Sequence, residues 1–157
     1  MPTHSTRPPA VAGRFYPAEP DRLAADVQQY LNAATAPEDC LDPPLVKAII
    51  APHAGYVYSG PIAASAYVQL ACSDVPIRRF VLLGPAHFAP VRGLAISGAP
   101  AFDTPLGRVP VDEEARAAAL SLPGVAVDDT AHRPEHCLEV QLPFLQTLFP
   151  DLSLIHI

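Results

Sequence analysis

Val46-Lys47-Ala48-Ile49-Ile50-Ala51-Pro52-His53-Ala54-Gly55 is an apolar run that stops at a proline, presents a histidine and turns at a glycine. A run rich in β-branched and aliphatic residues and closed by Pro and Gly predicts a buried strand, here Val46–Ala51, with a loop after it. The pattern returns at Phe80-Val81-Leu82-Leu83, which leads into Gly84-Pro85-Ala86-His87-Phe88. In open α/β sheets, ligands bind in the loops at the carboxyl ends of parallel strands. Two imidazoles delivered to such loops can converge on one metal ion, and imidazole suits iron, copper and zinc. His53 and His87 are therefore the leading candidate ligands. Tyr56, Tyr58 and Phe88, close to them in the chain, are candidate pocket residues.

Outward from these two runs, strands and helices alternate. Pro20–Ala34 predicts a helix with Leu23, Val27, Tyr30 and Leu31 on one face. Residues 36–44 read as a loop, and Pro61 suits the first turn of a helix running to Leu70. Arg79–Leu83 and Leu94–Ser97 predict strands, and a turn-rich stretch runs on through Phe102-Asp103-Thr104-Pro105-Leu106-Gly107. Asp112–Leu122 predicts a helix whose acidic first turn complements its dipole. Val125–Val127 predicts a short strand. A helix falls within Leu138–Leu148, kinked or started by Pro143, and Leu152–Ile157 predicts a final strand. The order predicts an α/β fold with a mostly parallel sheet and helices on both faces.

Composition bounds the function. The 157 residues suit one domain, and half of them are hydrophobic, enough for a core. A formal net charge of −6 argues against a nucleic-acid partner, which wants a basic surface. Every apolar run is broken by Pro, Gly or charge, so no membrane span is expected. The first residues lack the basic start and apolar block of a signal peptide, which makes the cytoplasm the expected compartment. Cys40, Cys72 and Cys137 form no CxxC pair and read as reduced thiols.

His132-Arg133-Pro134-Glu135-His136 spells the inverted zinc-protease motif. That mechanism needs both histidines on one helical face, and Pro134 between them breaks a helix interior. The protease reading is excluded. His136 and Glu139 remain as residues near a helix start that can point into a pocket, with capping or support as the plainer reading. Cys137 beside His136 is not expected to form a thiol–imidazole pair. Asp103, Asp128 and Asp129 read as turn residues, and no residue is singled out as catalytic.

Five blocks in order carry a resemblance: Ala10-Val11-Ala12-Gly13-Arg14-Phe15-Tyr16-Pro17, the stretch Ala51 to Gly60, Gly84-Pro85-Ala86-His87, Thr104-Pro105-Leu106-Gly107, and Glu135 to Phe144. Together they resemble the MEMO family, called AmmeMemoRadiSam system protein B in bacteria and archaea. The resemblance implies a fold similar to class III extradiol dioxygenases, non-haem iron enzymes that open catechol rings. It matches His53 and His87 to two metal-binding histidines, for iron or copper. The family pattern continues into a Ser-Ser-Asp-Phe-x-His-type block and a later cysteine ligand, neither of which this sequence contains. Residues 1–157 are thus expected to be the N-terminal part of one MEMO-like domain, truncated, with an incomplete site and inactive alone. The implied activity of the whole is O₂-dependent oxidation at a mononuclear centre. The alternative is a non-catalytic adaptor that holds a peptide or small molecule in the same pocket.

Overall fold

A computed structural model describes residues 5–34, 46–71 and 76–156. The expected loop at 36–44, with Cys40, and also Cys72 and Ile157 lie outside those residues. The first helix, α1 (Pro20–Ala33), opens on its proline, which has no N–H to leave orphaned there. It buries Leu23, Val27 and Leu31 at helical spacing. The second, α2 (Tyr56–Ala71), begins five residues before the expected proline. Tyr56 is the reason: its N–H donates to the Phe15 carbonyl at 2.7 Å and its hydroxyl to that of Val140 at 2.7 Å, so tertiary bonds start the helix early. Gly60 lets α1 approach, since a Cβ there would stand 2.6 Å from the Tyr30 ring.

The strands are β1 (Arg79–Leu82), β2 (Leu94–Ile96), β3 (Ala101–Thr104), β4 (Gly107–Pro110), β5 (Val125–Val127) and β6 (Ser153–His156). β1 pairs with β6 and β2 with β5, both parallel, while β3 and β4 form an antiparallel hairpin. The architecture is mixed α/β, but among the described residues the sheet is three two-stranded pieces and not one continuous sheet. Single bridges tie the N-terminal arm to the hairpin, Arg7 to Phe102, and the residue after β4 to β6, Val111 to Leu154.

Two expectations need correction. Residues 46–51 form no strand among the described residues; they pair with nothing there, and Ile50 stands 97% exposed. The stretch expected to be mere turn is the β3–β4 hairpin. Thr104 Oγ1 donates to the Gly107 carbonyl and accepts from Leu106 N–H, closing a turn whose last residue has φ +120°, which glycine tolerates.

The remaining helices are α3 (Glu113–Leu120), α4 (Asp129–His132) and α5 (Leu142–Leu148), the last preceded by a 3₁₀ turn at Glu139–Gln141. Asp112 caps α3 by accepting from Ala115 N–H, and Asp128 caps α4. Pro143 marks the start of α5. The core gathers α1, α2 and α5 through Leu23, Val27, Tyr67 and Phe144, with Leu154 of β6 fully buried among them. Each such side chain contributes about 1.5–3 kcal/mol by leaving water. Among the described residues no helix is long and apolar enough to cross a membrane.

Candidate metal centre

Three separate segments deliver three imidazoles to one place. His53 sits in the loop entering α2, which Ser59 Oγ fastens by donating to the Ala54 carbonyl at 2.8 Å. Gln141 Nε2 reaches across to the Pro52 carbonyl at 3.1 Å. His87 follows β1 through Gly84, where a Cβ would stand 2.5 Å from Cys137 Sγ, so only glycine lets the loop lie this close. His136 comes from the segment between α4 and the 3₁₀ turn. The ring centroids lie 5.3 Å apart for His53–His87, 5.9 Å for His53–His136 and 4.7 Å for His87–His136. The two histidines expected to converge do lie together, and His136 makes a third.

Glu135 organises this group. Its Oε2 accepts from His87 N–H at 2.6 Å, and its Oε1 from the backbone N–H groups of His136 at 2.8 Å and Cys137 at 3.0 Å. Oε1 also lies 2.9 Å from His87 Nδ1. Burial works to raise the Glu135 pKa, but these bonds to the carboxylate outweigh it and bring the group down to about 2. An ionised carboxylate only accepts, so His87 Nδ1 carries the proton and a neutral His87 has its free lone pair on Nε2. This is the carboxylate–histidine arrangement that fixes the tautomer of metal-binding imidazoles.

His87, Glu135 and His136 each bring a ligand-type atom within 4.8 Å of the others. His136 Nδ1 is buried without a hydrogen bond, although Glu135 Oε1 is 3.2 Å away. A buried imidazole nitrogen without a partner is uncommon and calls for an explanation. Burial, with His87 and His53 near, lowers the His136 pKa against the opposing pull of Glu135. The ring is thus held toward its neutral, metal-binding form.

The other expected residues divide. Tyr58 is exposed at the mouth of the cleft beside His53, and Phe88 is exposed with its ring 5.9 Å from that of His136. Tyr56 does not line the cleft; it is buried, with its hydroxyl held by Val140. Glu139 does not reach the imidazoles either. Its carboxylate accepts from Arg7 Nη1 at 2.8 Å, Tyr16 Oη at 2.6 Å, Ala10 N–H at 2.8 Å and Val11 N–H at 3.0 Å, which ties the N-terminal arm to the 3₁₀ turn. Cys137 is a buried thiol bonded to the Pro85 carbonyl, and burial near Glu135 pushes its pKa up to about 12, so it is no nucleophile. His132 turns away, its Nε2 against the Ala95 carbonyl at 2.9 Å, which agrees with excluding the protease motif.

Histidine spacing alone points to neither Glu135 nor Phe15. Glu135 stands next to His136 in the chain, but its hold on a loop 48 residues earlier is a tertiary fact. Phe15 caps the group, with its ring 4.7 Å from that of His136. The imidazoles open into a cleft of about 1250 Å³ that Phe15, Ile49, Ile50, Tyr58 and Leu83 also line.

Known proteins share this chain's pattern. The family profile described as Memo-like protein matches residues 7–157. A MEMO1 family protein of Caldivirga maquilingensis is 40% identical over 157 residues, covering 97% of this chain and 55% of that protein. One of Methanopyrus kandleri is 43% identical over 150 residues, covering 92% and 53%. One of Thermotoga neapolitana is 40% identical over 157 residues, covering 95% and 56%. The chain spans about half the length of the curated relatives it matches.

Proposed function

The chain belongs to the Memo-like family, and from that premise we propose that the intact protein holds one redox-active metal ion, iron or copper, between His53, His87 and His136. The observation that carries the reading is the convergence of three imidazoles from distant loops, their centroids 4.7–5.9 Å apart. The ligand-type atoms of His87 and His136, with Glu135, lie within 4.8 Å of one another; His53 stands outside that group, its ring 5.3 Å from that of His87, and its imidazole would turn in to reach the ion. The unpartnered His136 Nδ1 and the fixed tautomer of His87 fit the same purpose. Glu135 is better suited to orienting than to binding, because four donors already occupy its two oxygens.

The bound metal would supply open positions for O₂ and an organic substrate, in the manner of non-haem oxygenases. The chain's own residues do the rest. Glu135 keeps the His87 proton on Nδ1, Phe15 packs against His136 from within the cleft wall, Tyr58 stands exposed on that wall, and Phe88 packs against His136 from outside it. Kinship with the class III extradiol dioxygenase fold and residence in the cytoplasm belong to the same reading.

Metal analysis of the intact protein, expressed with iron and then copper supplied, tests it. One equivalent of metal is expected, falling below a tenth of that in a His53→Ala/His87→Ala double variant that still melts cooperatively. Unchanged metal content in that variant would sink the proposal. O₂ uptake by the loaded protein with catechol-like compounds then separates an oxygenase from an adaptor.

A further inference from the structure

The cleft before the imidazoles differs in charge from the rest of the molecule. The chain carries a net −6, yet among the described residues no aspartate or glutamate lines this cleft. Among those residues its one permanently charged wall group is Arg14, and the others are the three histidines, Tyr58 and apolar groups. Glu135 lies behind His87 and His136 with both oxygens engaged, so its charge is turned inward.

Arg14 is also set in a well-fixed turn. Arg14 and Phe15 N–H both donate to the Val11 carbonyl, at 3.0 and 2.9 Å, and Gly13 N–H to that of Tyr16 at 2.8 Å. Gly13 takes φ +78° to make the turn. Glu139 holds the ends of the same turn through Val11 N–H and Tyr16 Oη. The next residue, Phe15, rests on His136 and adds only apolar surface to the rim. The Arg14 side chain itself is exposed, and among the described residues no carboxylate pairs with it. A guanidinium anchored by its backbone, free at its tip and beside an apolar wall is built to meet an anion.

We infer that the cleft takes a small organic anion, a carboxylate on an apolar body, and that Arg14 meets its charge. The apolar body lies along Phe15, Ile49 and Leu83, and the far end of the ligand faces the imidazoles. The inference rests on the proposed metal site only for what happens at that far end; recognition by Arg14 stands without the metal.

The test therefore uses metal-free intact protein, with benzoate and its uncharged analogue benzamide titrated by ligand-observed NMR. Benzoate is expected to bind more tightly than benzamide. Arg14→Gln should weaken benzoate by about tenfold, the scale of one charge-assisted hydrogen bond, and leave benzamide unchanged. Arg22→Gln, an exposed arginine on α1 outside the cleft, should leave both unchanged and so controls for net charge. Equal benzoate affinity in wild type and Arg14→Gln, an equal loss in Arg22→Gln, benzamide binding as well as benzoate, or no benzoate binding at all would each overturn the inference. Arg14→Gln should retain its metal. Loss of anion recognition with metal uptake intact is thus distinguishable from failure of the metal site, which the histidine variants report.

Discussion

Glu135 and Glu139 are one helical turn apart in sequence, both buried, and each accepts four hydrogen bonds, yet they do opposite things. Glu139 closes a finished network: Arg7, Tyr16 and two arm amides meet it, and Arg7 directs its other nitrogens to the carbonyls of His132 and Glu135. Glu135 supports an unfinished one, since the rings it organises face an open cleft and one of their nitrogens has no partner. A buried carboxylate is no sign of a site by itself. What separates the two is whether the donors around it have any capacity left over.

The sharpest way to break the contrast is Glu139→Ala. It leaves the Arg7 guanidinium, 6% exposed, buried without its counter-charge, and such losses cost about 3–5 kcal/mol. The urea midpoint should fall accordingly at an unchanged slope. A fall of less than about 1 kcal/mol, the scale of a surface pair, would mean that the arm is not docked as described. Tyr16→Phe removes one bond to the same carboxylate and should cost about 1.5–3 kcal/mol, the range for a hydrogen bond to a charged group. Glu135→Gln is the counterpart. It should lower metal affinity by about 10–100-fold, measured by competition with a chromophoric chelator, because the His87 tautomer is no longer fixed. Its effect on the urea midpoint should be smaller than that of Glu139→Ala. If the two variants exchanged these phenotypes, the division of labour would be wrong.

Much of this is legible in the chain, and the reasons for the rest are physical. α1 reads correctly because one amphipathic period and an opening proline determine it locally. His53 and His87 read as a pair because each follows an apolar run into a Pro- and Gly-bounded loop. The 46–51 run looks identical to a buried strand in composition, but a strand exists only with a partner, and sequence does not show which edges are filled. The β3–β4 hairpin hides behind Pro105, which marks a turn without announcing the four-residue strands beside it. Spacing groups Glu139 with His136, whereas its donors come from residues 7–16, more than 120 positions away. Long-range polar closure of this kind leaves no local trace.

The smallest effect concerns His132, the histidine of the block that belongs with Glu139 and not with the site. Its ring is buried against the Ala95 carbonyl; burial lowers its pKa, Arg7 adds to that, and the Ala95 bond and Asp128 and Asp129 oppose it. The folded state therefore holds it neutral at pH values where an unfolded chain, with a pKa of about 6.5, takes up a proton. The unfolded state binds more protons below that value, so stability rises with pH through this window and falls as pH drops below about 6.5. His132→Gln keeps a donor toward Ala95 and removes the titration. Urea unfolding of the metal-free protein at about pH 7.5 and about pH 5, on either side of that window, should show a smaller loss on acidification in the variant than in the wild type. An equal loss in both would show that His132 is protonated in the folded chain, and the closed half of the comparison would then carry a charge that the present packing has no place for.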